Sequence, residues 1–164
     1  TAEEHFRAAL SAEPNDARIL NNYGAFLLDR ERYPEALGYF QKASEDTLYS
    51  ERSRVFENLG ITHQRMGAIT EARESFERSL RLNSRQPRAL FELSQLEFDA
   101  QDYVPAWKHY RAFAEMSGQN AASLGLGIQL AKRFDDHSRA ASYALQLKRL
   151  YPASPEAKAL MESE

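Results

Sequence analysis

Residues 58–80, NLGITHQRMGAITEARESFERSL, place a glycine inside an apolar helical pattern, with small and aromatic residues at fixed distances from it. Ala72 lies twelve residues after Gly60. Phe76 and Ser79 follow Ala72 by four and seven residues, which is the spacing of one face of an α-helix. The stretch therefore predicts two amphipathic helices joined by a short turn.

The small–aromatic–small trio of this stretch recurs along the whole chain. Successive copies begin 34, 36, 34 and 34 residues apart. The copies are Ala2, Phe6 and Ala9; Ala36, Phe40 and Ala43; Ala72, Phe76 and Ser79; Ala106, Tyr110 and Phe113; and the degenerate Ala140, Ala144 and Leu147. A fixed period of this length indicates a repeat architecture in which each unit is one pair of helices.

This pattern resembles the tetratricopeptide repeat, a 34-residue unit with small residues at its eighth, twentieth and twenty-seventh positions and an aromatic residue near the twenty-fourth. The resemblance covers essentially the whole chain and implies an all-α fold, a superhelix of antiparallel helix pairs. Packed helices with axes about 8–10 Å apart need small side chains where their backbones approach closest. We therefore expect Gly60 and Ala72 to permit close approach and Phe76 to fill the space beside them.

We predict a single tetratricopeptide-repeat domain over residues 1–164. A partial unit covers residues 1–16, and full units cover about 17–50, 53–86, 87–120 and 121–154. A terminal helix over 155–164 follows Ser154, which is expected to be its N-cap. The segment EDTLYSERSR (45–54) contains a two-residue insertion, which is expected to change the local superhelical step or form a small bulge.

The composition limits the classes of function. The 24 acidic and 21 basic residues give a net charge of −3, which disfavours nucleic acid as a partner. The chain contains no cysteine, which excludes disulfides and thiolate metal sites. No apolar run approaches the roughly 20 residues that span a bilayer.

The candidate chemical groups do not form a recognisable active site. Four histidines lie in different units without a second ligand or paired carboxylate at helical spacing; they are His5, His63, His109 and His137. The sequence Gly125-Leu126-Gly127 lacks the third glycine and the preceding strand of a phosphate-binding loop. We therefore predict no catalytic residue, no metal site and no cofactor, and a protein that is not an enzyme.

Stacked helix pairs form extended surfaces that bind other polypeptides. In the tetratricopeptide pattern, the second, fifth, ninth, twelfth and thirteenth positions of each first helix face this groove. On this chain the predicted protein-binding residues are Asn21, Leu28, Glu57, Ile61, Arg65, Phe91, Gln95 and Phe98. Replacing Ile61 or Phe91 is expected to weaken partner binding without unfolding the chain. The alternative is that Phe91 and Phe98 pack against the next unit.

Three segments carry a closer resemblance. EDTLYSERSRVFENLGI (45–61), GQNAASLGLGIQLAKRF (118–134) and AASYALQLKRLYPASPE (140–156) are similar to the type IV pilus biogenesis lipoprotein, the pilotin of the outer-membrane secretin. The resemblance implies a protein on the periplasmic face of the outer membrane, held there only by an N-terminal lipid that is absent from this chain. Its partner is expected to be the secretin subunit, whose outer-membrane localisation and multimerisation it promotes. At least one and a half N-terminal repeats are also expected to lie outside this chain.

An alternative function uses the same groove with a different partner. The chain is then a tetratricopeptide adaptor or co-chaperone that binds another polypeptide. A signal peptide ending in a lipidation cysteine, upstream of this sequence, favours the pilotin, and its absence favours the adaptor.

Overall fold

Ten α-helices and no strand make up residues 1–164, all of which are described by the structure, a computed structural model. The helices are α1 (Ala2–Ala12), α2 (Ala17–Asp29), α3 (Tyr33–Ser44), α4 (Arg52–Arg65), α5 (Ile69–Leu82), α6 (Pro87–Asp99), α7 (Tyr103–Met116), α8 (Ala121–Arg133), α9 (His137–Leu150) and α10 (Pro155–Glu162). The predicted all-α fold class is therefore confirmed. None of the helices combines the length and the apolar character needed to cross a lipid bilayer.

The chain divides into two compact units, Thr1–Ala89 and Leu90–Glu164, with the boundary inside α6. In the first unit, α2 packs against α3, α4 packs against α5, and α3 also contacts α4. In the second unit, α8 packs against α9, and α10 contacts both of these helices. Four helix pairs follow one another along the chain, and α1 and α10 stand before and after them.

The two helices of each pair are joined by three residues, of which the middle one has a left-handed backbone conformation. These middle residues are Glu31, Gly67, Gln101 and Asp135, with φ values of 60°, 77°, 63° and 55°. After Glu31, the N–H of Arg32 donates to the carbonyl of Leu27 at 2.9 Å, and Ala68 repeats this contact to His63 at 2.8 Å. Such hydrogen bonds satisfy the last carbonyls of the first helix and reverse the chain.

Side chains at several helix starts accept hydrogen bonds from free backbone N–H groups. Asp16 accepts from Ile19 at 3.1 Å at the start of α2, and Asn120 accepts from Ser123 at 2.8 Å at the start of α8. Ser154 accepts from Ala157 at 3.1 Å, so its predicted role as N-cap of α10 is confirmed.

Glycines of the first helices lie against aromatic rings of the second helices. A Cβ atom built onto Gly60 would lie 2.6 Å from Cε1 of Phe76, and one built onto Gly24 would lie 2.6 Å from Cε1 of Phe40. Both rings are fully buried, as is Ala72. The expected packing is confirmed: the ring occupies the volume that any larger residue would need.

A network of charged and aromatic side chains attaches α1 to the first unit. The Glu3 carboxylate accepts hydrogen bonds from Nη1 of Arg32 at 2.9 Å and from the hydroxyl of Tyr23 at 2.8 Å. The ring of Phe6 stacks on Tyr23 with centroids 5.3 Å apart. The hydrogen bonds from Arg32 and Tyr23 lower the pKa of Glu3 to about 2. The charge of Glu3 therefore helps to hold α1 against α2 and α3.

The second unit is centred on a buried tyrosine between α7 and α8. The hydroxyl of Tyr110 lies 2.8 Å from the carbonyl of Ser123, and its ring touches the backbone at Gly127. Burial raises the pKa of Tyr110. Leu124 and Leu147 also pack with Ala157 and Leu160 of α10 in an apolar cluster.

We predict opposite effects for two helical glycine-to-alanine substitutions. Gly60→Ala lowers the free energy of unfolding by about 1–3 kcal/mol, because the new methyl group overlaps the Phe76 ring. Gly38→Ala raises it by about 0.5–1 kcal/mol, because alanine favours the helix and the new methyl group meets no atom within 4 Å. Urea-induced unfolding measures both. Equal stabilisation by the two substitutions would contradict the ring–backbone contact.

We also predict that the contribution of Glu3 to stability depends on pH. Because the folded-state pKa lies near 2, below the ordinary value of 4.5, the contribution is complete above pH 4.5 and is lost as the pH falls toward 2. Glu3→Gln removes it, so the difference in unfolding free energy between wild type and Glu3→Gln shrinks across this interval. Glu45→Gln, at an exposed position with no ion pair, serves as the control. A difference that stays constant from pH 7 to pH 2 would show that the Glu3 carboxylate does not hold α1.

Candidate protein-binding surface

Five of the predicted binding residues lie on α2 and α4 and line two adjoining depressions in the first unit. The first depression has a volume of about 400 Å³ and is lined by Asn21, Asn22, Tyr49, Glu51, Arg54, Glu57 and Asn58. The second has a volume of about 230 Å³ and is lined by Ala25, Leu28, Asp29, Glu31, Asn58, Ile61, Arg65 and Arg88. Asn58 belongs to both depressions. We call the two together the α2–α4 surface.

Side-chain hydrogen bonds join the helices that line the first depression. Nδ2 of Asn58 donates to Oδ1 of Asn21 at 3.0 Å, which links α4 to α2. Oε2 of Glu57 accepts the backbone N–H of Ala89 at 3.2 Å, in the first turn of α6. Asn21 and Glu57 therefore hold the helices in place. The second N–H of the Asn58 amide and its oxygen have further hydrogen-bonding capacity, which suits them to the main chain of a bound segment.

The charges of the second depression are arranged differently from those of the first. Arg54, in the first depression, pairs with Glu51 at 2.8 Å. Arg65 and Arg88, in the second, are exposed and form no ion pair within the chain. Asp29 and Glu31 line the same depression. A guanidinium group binds carboxylates through paired N–H donors, so Arg65 and Arg88 are the groups at this end that suit an acidic side chain.

The structure differs from expectation at Ile61. This side chain is only 4% exposed, although it lines the second depression. Leu28 is half-buried beside it. Ala25 of α2 and Arg88 of α6 line the same depression. The burial of Ile61 argues against the expectation that Ile61→Glu leaves the chain folded, and that expectation stays a prediction.

The three remaining predicted residues lie on α6 in the second unit. Phe91 is half-buried, and its ring centroid lies 5.4 Å from that of Phe113. Phe98 lies 5.4 Å from Tyr103. Both contacts are with α7, the second helix of the same pair, so the two phenylalanines contribute to packing within that pair. Nε2 of Gln95 donates to Asp99 at 3.0 Å on α6 itself. A binding role for these residues stays a prediction.

Tyr49 and Asn58 are among the lining residues that the sequence prediction did not include. Tyr49 lies in the two-residue insertion, packs in part against the core of the first unit and borders the first depression. Its burial raises the pKa of its hydroxyl. The break in the period marks this segment, but does not indicate which of its side chains turns inward. Asn58 occupies the sixth position of its unit, outside the positions used for the prediction.

The histidines and carboxylates do not form a recognisable metal site. Across residues 1–164, no three side chains of His, Cys, Asp or Glu lie close enough to hold a metal ion together. His109 lies 2.6 Å from the buried Glu97 in the second unit, where the pair links α7 to α6. On geometry alone, hydrogen bonding and ion pairing with another chain are what the α2–α4 surface can offer.

The comparisons with known proteins agree with this geometry. Profiles of the tetratricopeptide-repeat family match residues 15–85 and 58–121. Together with the repeated helix pairs, these matches define the chain as a tetratricopeptide-repeat protein, as the sequence predicts.

Particular relatives narrow the class. The chain is 54% identical over 155 residues to the type IV pilus assembly protein PilF of Pseudomonas aeruginosa. The aligned residues make up 94% of this chain and 62% of that relative, so the chain spans less than two thirds of its length. A solved structure of Pseudomonas aeruginosa PilF matches 99% of this chain and 73% of its own, with a TM-score of 0.97 and 51% identity. The crystal structure of PilW, a widely conserved type IV pilus biogenesis factor, matches 98% of this chain and 74% of its own. Its TM-score is 0.79 and its sequence identity is 32%. The chain belongs to this family of type IV pilus assembly proteins.

We predict that a glutamate substitution lowers stability at the buried Ile61 of α4 but not at the exposed Arg65 of the same helix. Ile61→Glu lowers the free energy of unfolding by roughly 2 kcal/mol or more, because it places a carboxylate in a buried apolar position. Arg65→Glu, on the same helix but exposed, changes it by no more than about 0.5 kcal/mol. Urea-induced unfolding of both variants tests this. Equal stability of the two would place Ile61 at the surface.

Proposed function

We propose that this chain is the protein-binding part of a non-enzymatic scaffold in type IV pilus assembly, of the pilotin type. It binds secretin subunits and promotes their localisation to the outer membrane and their multimerisation there. The observation that carries the proposal is family membership: identity to PilF is above 50%, and the solved PilF structure matches almost the whole chain.

The α2–α4 surface supports binding of a polypeptide. Its groups are those that recognise a main chain and acidic side chains: an amide at Asn58 and guanidinium groups at Arg65 and Arg88. The helices that carry them are fixed by interhelical contacts such as the Asn21–Asn58 hydrogen bond. A preformed surface loses little conformational freedom on binding, which favours affinity.

The proposed location is the periplasmic face of the outer membrane. The attachment is a lipid on an N-terminal residue outside this chain, so the helices described here take part only in protein contacts. This arrangement brings a bound secretin subunit to the membrane in which the multimer forms.

The test is co-purification of the full-length protein with its secretin. The double variant Arg65→Glu and Arg88→Glu is expected to weaken secretin binding at least about tenfold, since two like charges then face the acidic segment. The double variant Arg81→Glu and Arg85→Glu, at exposed positions outside the α2–α4 surface, carries the same charge change and is expected to bind normally.

Deletion of the gene is expected to reduce secretin multimers in the outer membrane. Normal multimers in the deletion strain would remove the pilotin role. Capture of a different polypeptide, lost on changing Arg65 and Arg88, would favour the adaptor function instead.

A further inference from the structure

A third depression lies in the second unit, between α8 and α10. It has a volume of about 390 Å³, and its lining is mostly apolar. Ile128, Leu147 and Leu160 line it and are 5%, 0% and 8% exposed, so their side chains belong largely to the core. Pro155 and the exposed Ala159 add apolar surface from α10. We call this depression the α8–α10 groove.

A glycine brings the two helices together at one end of the groove. A Cβ atom built onto Gly125 would lie 3.0 Å from Cγ of Glu156. The aliphatic part of Glu156 therefore lies against the backbone of α8, where a larger residue at position 125 would displace it. Glu156 therefore lies at the Gly125 end of the groove.

The other end of the groove carries the opposite charge. Lys132 lines the groove seven residues after Gly125, which places it roughly 10 Å further along α8 at 1.5 Å per residue. Neither Lys132 nor Glu156 forms an ion pair within the chain. The groove therefore has an apolar middle and an uncompensated charge of each sign at its ends.

We propose that the α8–α10 groove binds a short segment of a partner protein in which two apolar side chains lie between a basic and an acidic residue. The basic residue faces Glu156, the acidic residue faces Lys132, and the apolar side chains cover Ile128 and Leu160. The proposal rests on the proposed function as a protein-binding scaffold and specifies the chemistry of the bound segment.

The size and charge of the groove favour this occupant. A volume near 390 Å³ lies at the lower end of the range of ligand pockets, enough for a few side chains. Charges of opposite sign give no net positive surface, so an anionic lipid surface is not favoured. A helix rises about 1.5 Å per residue, so charged residues seven positions apart in a helical segment span roughly 10 Å, and apolar residues at the third and fourth positions after the first lie on the same face.

Three labelled peptides test the charge pattern at low salt. Each is a helical peptide with two leucines three and four residues after its first charged residue and a second charged residue seven residues after it; the two charged residues are one lysine and one glutamate, two lysines, or two glutamates. The wild-type chain is expected to bind the mixed peptide about threefold to tenfold more tightly than either like-charged peptide. Lys132→Glu shifts the preference to the two-lysine peptide, and Glu156→Lys shifts it to the two-glutamate peptide. Unchanged preferences in both variants would overturn the proposal.

Filling the groove tests its location. Ala159→Trp is expected to weaken binding of the mixed peptide at least about tenfold, because the indole occupies the apolar middle. Ala141→Trp, at an exposed position of α9 outside the groove, is the matched control and is expected to bind normally. Thermal unfolding verifies that both variants fold. Equal peptide binding by both variants would overturn the proposal, as would self-association or vesicle binding that Ala159→Trp abolishes while no peptide binds.

The same variants separate this proposal from the proposed function. If full-length protein captures secretin equally well with and without Ala159→Trp, the groove is not the site, and the pilotin role stands. If the peptides bind with the predicted switches but secretin is not captured, the groove binds its segment on another partner, and the pilotin role fails.

Discussion

The contact between an aromatic ring and a glycine backbone is the constraint on which the helix pairs depend. Phe40 on Gly24 and Phe76 on Gly60 repeat the same arrangement in successive pairs. The ring is buried only because the facing residue has no side chain, and the helix accepts glycine only because the ring replaces the lost contacts. In the second unit, Tyr110 of α7 lies against Gly127 of α8, which belongs to the next pair, and donates a hydrogen bond to the carbonyl of Ser123. The Tyr110 ring thus fills the space beside the glycine while its hydroxyl group keeps a hydrogen-bond partner.

The sequence predicted the helices and much of their packing, because the 34-residue period records which positions must be small or aromatic. It was less successful for side chains on the first helices. Ile61 occupies a position that the pattern assigns to the surface, but its side chain is buried. Phe91 contacts Phe113 of its own pair. Such burial depends on the separation of neighbouring helices, which the period of one chain does not specify.

The candidate binding surfaces differ in chemistry: the α2–α4 surface lies between two first helices, and the α8–α10 groove lies between a first helix and the terminal helix. The α2–α4 surface is polar, with amides and guanidinium groups around a small apolar area. The α8–α10 groove is mainly apolar, with one charge at each end. Repeats that share a backbone plan therefore offer different recognition properties, because the positions that carry recognition are not those that the ring–glycine contact constrains. This separation is expected in a scaffold whose binding can change while its fold is kept.

The connections between helices differ in length. Within every pair the turn has three residues and is closed by a hydrogen bond of one type. Between successive helices of different pairs, four residues connect α5 to α6 and α7 to α8, but seven connect α3 to α4. The longer connection carries Tyr49 to the edge of a depression without disturbing either neighbouring pair. A longer linker between pairs thus adds a side chain to a candidate binding surface while both neighbouring helix pairs stay intact.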